Sequence, residues 1–469
     1  MSEVIENSFF RFEDRSDLTF IISEEKNYSY FELFSEAKSL AEKLALNRVK
    51  KHDYVPLVIE DNLEFIRTVI ALWYLNAIPV PINTRLLNSE IYALTSDNGF
   101  QLIITDKPEL KSTYKDYSLI LSTDLRIDLK DSFSFKVPER DEEALVIFTS
   151  GSSGKPKGVV HTFSSLMNSI QNGSSVLKQA SSSRWLASLP LYHISGFQIL
   201  CRSLFHGSSV ILTDKTQFET LRSAIEIFKP THLSLVSSQI KKIVETKMKP
   251  PPEITLTLAG GGVISDYLIE QMYLLGWNPV RVYGSSETAS FVTAANAEDI
   301  FIKAGTAGRP IKNVKIVIDD SGEILVSTNS LFKKYLNDEE QTSMQIKHGF
   351  YHSGDIGRLD EEGFLFIESK RNDLIVTGGE NVNPTEIESQ ILKIDGVKEV
   401  CVFSKDDETW GQIVCAAIVT DIKLDEQEIQ NQLRKVIADF KVPKKYFFVD
   451  SLPKTQLGKI LREKVKSFL

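Results

Sequence analysis

Over the first 140 residues the apolar positions switch period again and again, and this alternation narrows the possible folds more than any other feature. Leu33, Ala37, Leu40, Ala41 and Leu44 recur at helical spacing. Tyr54-Val-Pro-Leu-Val-Ile59 reads as a strand, Leu63 to Leu75 as a helix and Gln101-Leu-Ile-Ile-Thr105 as a further strand. Strands interleaved with helices imply a mainly parallel α/β sheet. The most apolar stretch, Phe65 to Ile82, carries Arg67 and Asn76 and ends at Pro79 and Pro81. It reads as a buried helix feeding a strand and not as a membrane span. No catalytic constellation, internal repeat or low-complexity tract stands out in this part.

At 469 residues the chain exceeds one simple core, so two or more domains are expected. A composition 42% hydrophobic and 25% charged leaves no room for a largely disordered protein. The net charge of −9 argues against a molecule built as a nucleic-acid binder. Cys201, Cys401 and Cys415 are too few and too scattered for a disulfide framework or a zinc site. Met1-Ser-Glu-Val-Ile-Glu lacks the basic and apolar regions of a secretory signal, so a cytoplasmic location is expected. A homo-oligomer remains open.

Thr149-Ser-Gly-Ser-Ser-Gly-Lys-Pro-Lys-Gly-Val-Val-His161 follows Leu145-Val-Ile-Phe148, an apolar run that reads as a buried strand ending in a loop. The loop gathers Gly151, Gly154 and Gly158, the hydroxyls of Thr149, Ser150, Ser152 and Ser153, and the cations Lys155 and Lys157. Glycines admit close backbone approach, successive N–H groups can cradle an anion, and two ammonium groups suit a polyphosphate. The same composition fits a flexible linker. No Walker A register can be drawn through it.

The ordered succession of Ser/Thr, Gly, Lys, Pro, Lys and Gly resembles the phosphate loop of the acyl-adenylate-forming superfamily, which includes acyl-CoA synthetases, luciferases and peptide-synthetase adenylation domains. Later motifs recur in that family's order, so the resemblance covers nearly the whole chain. It implies a large N-terminal domain of α/β subdomains plus a β subdomain (residues 1–371), a hinge at 372, and a small mobile α+β domain (373–469). ATP, Mg2+, coenzyme A and a carboxylic acid are the small molecules it implies.

Leu189-Pro-Leu-Tyr-His-Ile-Ser-Gly196 contains His193, which alone could be a core histidine; by resemblance it is an aromatic gate over the acyl pocket. Ser195, Gly196 and Arg202 would belong to that pocket. His193-Ile-Ser-Gly196, with Arg202-Ser203 and Gly207 downstream, is most similar to the branch that ligates 2-succinylbenzoate to coenzyme A in menaquinone biosynthesis. Ile254-Thr-Leu-Thr-Leu258 reads as a strand running into Gly260-Gly-Gly262, either a mere turn or a bed for a flat ring. Val282-Tyr-Gly-Ser-Ser-Glu-Thr288 follows another strand. The resemblance puts Tyr283 against adenine, Gly284 and Ser285 beside the nucleotide, Ser286 on the α-phosphate, and magnesium at Glu287 and Thr149. Serine stands at 286 where the family more often has threonine, and the hydroxyl is kept.

Lys315-Ile-Val-Ile-Asp319 and Glu323-Ile-Leu-Val-Ser327 read as short strands of the β subdomain. Asp355 matches the acceptor of the ribose hydroxyls, a task suited to a carboxylate. In Ser369-Lys-Arg-Asn-Asp373 the family arginine falls on Lys370, with Arg371 one place later, so either could serve. Asn372 takes the hinge position. Gly378 and Gly379 match the loop lining the pantetheine tunnel. Trp410 reads equally well as an ordinary aromatic or as part of that approach. Pro453-Lys-Thr-Gln-Leu-Gly-Lys-Ile-Leu-Arg462 matches the last family motif, with Lys459 as the catalytic lysine. Residues 434–469 hold ten Lys/Arg and three Asp/Glu, which is either a solvated helical face or an attractor for polyanions.

The implied chemistry is displacement of pyrophosphate from ATP by a carboxylate, then displacement of AMP by a thiol, with rotation of the small domain between the steps. Three alternatives stand beside it: a ligase for another aromatic or fatty acid, a module loading a carrier protein (none follows Leu469), and a non-catalytic acyl-AMP-binding protein.

Overall fold

The computed structural model describes residues 8–10, 15–114, 117–121, 136–150, 156–213, 218–262, 264–369, 374–453, 460 and 462–469. The early alternation folds as its pattern requires. Helix Tyr30–Leu46 starts at a capping box, in which the Ser29 hydroxyl accepts from the Glu32 N–H and the Glu32 carboxylate accepts from the Ser29 N–H. Its apolar stripe is buried, including Leu33, Ala37, Leu40 and Leu44. Strands Ile78–Pro81, Tyr54–Val58, Leu102–Thr105 and Ser118–Leu121 lie side by side in that order, all parallel. Pro79 and Pro81 are tolerated because their strand is at the edge of this sheet.

A second parallel array runs through strands Ser209–Ile211, Arg184–Leu186, His232–Leu235, Leu256–Ala259 and Pro279–Ser285. Beyond the last, strand Ser290–Asn296 turns antiparallel and leads into the expected β subdomain, where Val314–Ile318, Glu323–Thr328 and Phe350–Leu359 pair antiparallel. The main core lies around Trp73, whose ring meets Phe9, Phe163 and Phe197 while its Nε1–H donates to the Ala144 carbonyl at 2.7 Å. The C-terminal part has its own core. Antiparallel strands Val397–Asp407 and Gly411–Thr420 are covered by helices Pro384–Ile391 and Glu426–Leu433. The expected boundary at 371–373 falls between strands Leu365–Ser369 and Ile375–Thr377, on residues outside those described. Among the described residues no helix is long and apolar enough to cross a membrane.

Candidate active site

Strands His232–Leu235, Leu256–Ala259 and Pro279–Ser285 are neighbours, and their carboxyl ends open on a cleft of about 540 Å³. Carboxyl ends of parallel strands are where α/β sheets place ligands. Gly260, Gly261 and Gly262 leave the second strand directly into this cleft, and Tyr283, Gly284 and Ser285 at the end of the third, with Ser286 just beyond it, line the cleft as well. The Tyr283 hydroxyl donates to Asp355 Oδ2 at 2.7 Å, which joins the aromatic wall to the carboxylate on strand Phe350–Leu359. Burial and the Asp355 charge push the Tyr283 hydroxyl well above its ordinary pKa, so it stays a neutral donor.

Glu287 sits in the short helical turn Ser286–Thr288 and is buried, and its Oε1 accepts from the Tyr335 hydroxyl at 2.7 Å. Lys157 lies over the Tyr335 ring, Nζ 5.4 Å from its centre. Thr149 pairs with Lys157 across the antiparallel strands Glu143–Ser150 and Pro156–Thr162, and both line the cleft. His161 lies behind this wall, fully buried. Its Nε2 is 2.7 Å from the Ser286 carbonyl, which can only accept, so Nε2 carries the proton; Nδ1 faces the Ser165 hydroxyl at 3.1 Å. Burial pushes its pKa down to about 4, leaving a neutral ring.

The other end of the cleft is formed by helix Ile194–His206, which His193 precedes. Ser195 and Arg202, seven residues apart, share one helix face and both line the cleft. Arg202 is 2% exposed. Its Nη2 donates to the Ser290 hydroxyl at 3.0 Å, and the guanidinium lies 4.9 Å from the Trp185 ring centre and 5.7 Å from that of Phe291. Among the described residues no carboxylate pairs with it, and burial pushes its pKa down to about 10. Gly196 is not on the cleft wall. A Cβ there would lie 2.1 Å from the Pro190 carbonyl oxygen, so glycine is needed for the turn to close on the helix.

The third wall comes from the C-terminal part. Strands Ile375–Thr377 and Glu380–Val382 are joined by Gly378 and Gly379, with φ of +57° and +87°, and this turn enters the cleft. A Cβ on Gly378 would meet the Trp410 ring at 2.9 Å. Trp410 itself is outside the cleft, half-exposed, with Lys444 Nζ 3.4 Å from its ring centre. Glu380 is buried and accepts from Asn83 Nδ2 at 3.0 Å, Arg85 Nη1 at 3.0 Å and the Tyr192 hydroxyl at 3.1 Å, with His193 Nε2 at 3.3 Å. Burial alone would raise its pKa; the hydrogen bond and charge of His193, then Arg85, outweigh it and hold the carboxyl below its ordinary value.

Cleft and motifs thus coincide for Thr149, Lys157, His193, Ser195, Arg202, Gly260 to Gly262, Tyr283 to Glu287, Asp355, Gly378 and Gly379. Ser150 ends its strand. Gly151, Ser152, Ser153, Gly154, Lys155, Lys370, Arg371, Asn372 and Lys459 lie outside the described residues. Asn83, Arg85, His161, Tyr335 and Glu380 went unassigned in the sequence. The first two had a signal: they follow directly on a strand read as part of a parallel sheet.

Residues 9–336 match the AMP-binding enzyme family, and residues 386–459 match the AMP-binding enzyme C-terminal domain. The chain belongs to the AMP-binding enzyme family. Its curated relatives include 2-succinylbenzoate–CoA ligase of Bacillus subtilis (strain 168), 30% identical over 95% of this chain and 94% of the relative. The ligase of the same name from Listeria monocytogenes serotype 4b (strain F2365) is 33% identical, covering 96% of each chain. Among solved structures, a double mutant of o-succinylbenzoate CoA synthetase from Bacillus subtilis bound with its product analogue OSB-NCoA gives a TM-score of 0.93 at 30% identity, covering 98% of both chains. The same synthetase in complex with the acyl-adenylate intermediate OSB-AMP gives 0.76 at equal identity and coverage.

Proposed function

We propose that this chain is a cytoplasmic ATP-dependent acid:CoA ligase that converts 2-succinylbenzoate, through an acyl-AMP, into 2-succinylbenzoyl-CoA for menaquinone biosynthesis. The observation that carries the choice of acid is Arg202. A buried guanidinium held by one hydroxyl and two aromatic faces is costly unless a ligand brings the missing negative charge. An aromatic acid with a second carboxylate supplies both the ring and the charge, and Ser195 adds a hydroxyl on the same helix face.

In the first step a carboxylate oxygen attacks the α-phosphorus and the bond to pyrophosphate breaks. Gly260 to Gly262 and Tyr283 would flank the adenine, Asp355 would accept the ribose hydroxyls, and Ser286 would donate to the α-phosphate. Thr149, Ser150 and Lys157, with residues 151–155, would hold the departing phosphates. Glu287 and Thr149 are oxygen donors, and one carboxylate plus a hydroxyl beside phosphates suits Mg2+, which keeps much of its water shell. When bound, that ion offsets phosphate charge. Lys459 would lie between the carboxylate and the α-phosphate, with Lys370 or Arg371 as a further cation. In the second step the thiol sulfur attacks the acyl carbon, AMP leaves, and the thiol proton passes to solvent. Gly378 and Gly379, backed by Trp410, would line the path of the thiol arm, with His193 as the gate. We assign residues 1–371 to the adenylating domain and 373–469 to the small domain, pivoting at Asn372.

Mass spectrometry of products from a panel of acids with ATP and coenzyme A tests this reading. The 2-succinylbenzoyl thioester is expected; a higher kcat/KM for benzoate or octanoate would overturn the assignment of the acid.

A further inference from the structure

The two parts of the chain also meet away from the cleft, through charge. Glu90 opens helix Asn88–Asp97 of the large part, and Lys441 lies beyond helix Glu426–Leu433 of the small one. Lys441 Nζ is 2.7 Å from Glu90 Oε1 and 2.7 Å from Glu386 Oε1, and the lysine is 9% exposed. Burial alone would lower its pKa, but the carboxylates of Glu386 and Glu90 outweigh it and raise it, so the ammonium stays charged. The second oxygen of Glu90 accepts the Leu87 N–H at 2.8 Å, which fixes the carboxylate on its helix and aims the first oxygen across the boundary. Beside this contact, Arg85 lies 5.5 Å from the Phe440 ring centre while reaching Glu380 at 3.0 Å.

These contacts divide into two kinds. Lys441 and Glu386 belong to one part and travel together. The bonds of Lys441 to Glu90 and of Glu380 to Arg85 and Asn83 cross between parts, so they exist only in the arrangement seen here. That arrangement overlays far better on the product-analogue complex of the related synthetase than on its acyl-adenylate complex, with TM-scores of 0.93 and 0.76. We infer that Glu90 is a positioning residue for the thioester-forming step: through Lys441 it holds the small domain where the Gly378–Gly379 turn enters the cleft, and it has no part in making the acyl-AMP. The inference rests on the ligase reading above.

Glu90→Gln is the test, because a glutamine still caps the helix while the charge is lost. Formation of thioester from preformed acyl-AMP and coenzyme A, measured in a single turnover, is expected to fall roughly tenfold. Pyrophosphate release with acid and ATP should stay within about twofold, since Glu90 is expected to be uncoupled from that state. A readout independent of turnover comes from spin labels on exposed Glu219→Cys and Lys423→Cys, the chain's own cysteines being buried. Their distance distribution should show the docked population depleted by Glu90→Gln. An unchanged distribution, or both half-reactions slowed alike, overturns the inference. The distances decide it even if no acid is adenylated, an outcome that would count against the ligase reading alone.

Discussion

Two walls of the cleft hold their buried polar groups in different ways. On the large-domain wall, Arg202, Glu287 and His161 are held by Ser290, Tyr335 and Ser286, which belong to the same domain. On the small-domain wall, Glu380 is held by Asn83, Arg85, Tyr192 and His193, all from the other domain. Contacts of the first kind are lost only when the domain unfolds. Contacts of the second kind can be traded for water, and because charged partners rehydrate well, an ionic seam gives little net stability while fixing one orientation. The permanent wall suits recognition, and the exchangeable wall suits alternation.

The largest effect should come from breaking the permanent wall at Arg202. Arg202→Met keeps much of the packing against Trp185 and Phe291 but removes the charge. The kcat/KM for 2-succinylbenzoate in pyrophosphate release is expected to fall roughly 10³-fold or more, because a site built to pair a polar group discriminates strongly when the pair is lost. The two half-reactions should not separate for this variant in the way they do for small-domain variants. Retention of most of the activity would remove Arg202 from acid recognition.

The exchangeable wall is sharpened at Lys459, which we propose acts in the other orientation of the small domain. During adenylation two anionic groups approach, and losing the cation between them should slow that step by roughly 10²–10³-fold. Lys459→Ala supplied with acyl-AMP and coenzyme A should still form thioester within a few-fold of the unsubstituted rate, since only positioning for the first step is removed. Equal loss in both steps would mean the small domain does not alternate.

A pH profile probes the permanent wall through His161. Its pKa is about 4 in the folded chain against 6.5 ordinarily, so between those values the unfolded state binds a proton that the folded state refuses. The penalty for excluding that proton is therefore absent above pH 6.5 and grows as pH falls toward 4, costing roughly 3 kcal/mol of stability in all. Tm measured from pH 7 to 4.5 should fall more steeply for the unsubstituted chain than for His161→Gln. Parallel slopes would show that another group governs the acid limb.

What the sequence made legible follows from how local each feature is. Helix Tyr30–Leu46 and strand Tyr54–Val58 sit where their periods put them, because burial on one face or both was written into neighbouring residues. The strand read as Ile254–Leu258 forms instead over Leu256–Ala259, since the Ile254 N–H is taken by the Pro251 carbonyl in a turn. The run read as Leu145–Phe148 extends over Glu143–Ser150, because polar Thr149 and Ser150 pair across to Lys157 and Pro156. In the site, residues packed into contiguous motifs could be named. Tyr335, Asn83, Arg85 and Glu90 could not, because each acts on a residue that is remote in the chain, and no periodicity records which strand end faces which domain. Gly196 lies in the same motif as His193 and Ser195, and the structure shows it in close approach to Pro190 and not on the cleft wall, a contact no spacing in the sequence records.

The smallest effect, and the sharpest contrast between the walls, is expected from Glu380. Its depressed pKa means that the docked state favours the carboxylate, so docking is fully supported above the ordinary carboxyl range and weakens as pH falls through the lowered value. Glu380→Gln keeps the shape and one acceptor, and so retains part of the contact with Asn83 and Tyr192. It gives up the charge that meets Arg85 and His193. Because only the docked orientation uses these partners, the loss should appear as a shift of population and not as damage to the cleft: thioester formation from acyl-AMP slower by about tenfold, acyl-AMP formation within a few-fold. Since the effect acts on docking, the loss in the thioester step should be accompanied by weaker dependence on ionic strength, because the screened attraction between Arg85 and position 380 is already gone. A variant equally impaired in both half-reactions, or one whose salt dependence matches that of the unsubstituted chain, would place Glu380 among the fixed parts of the site.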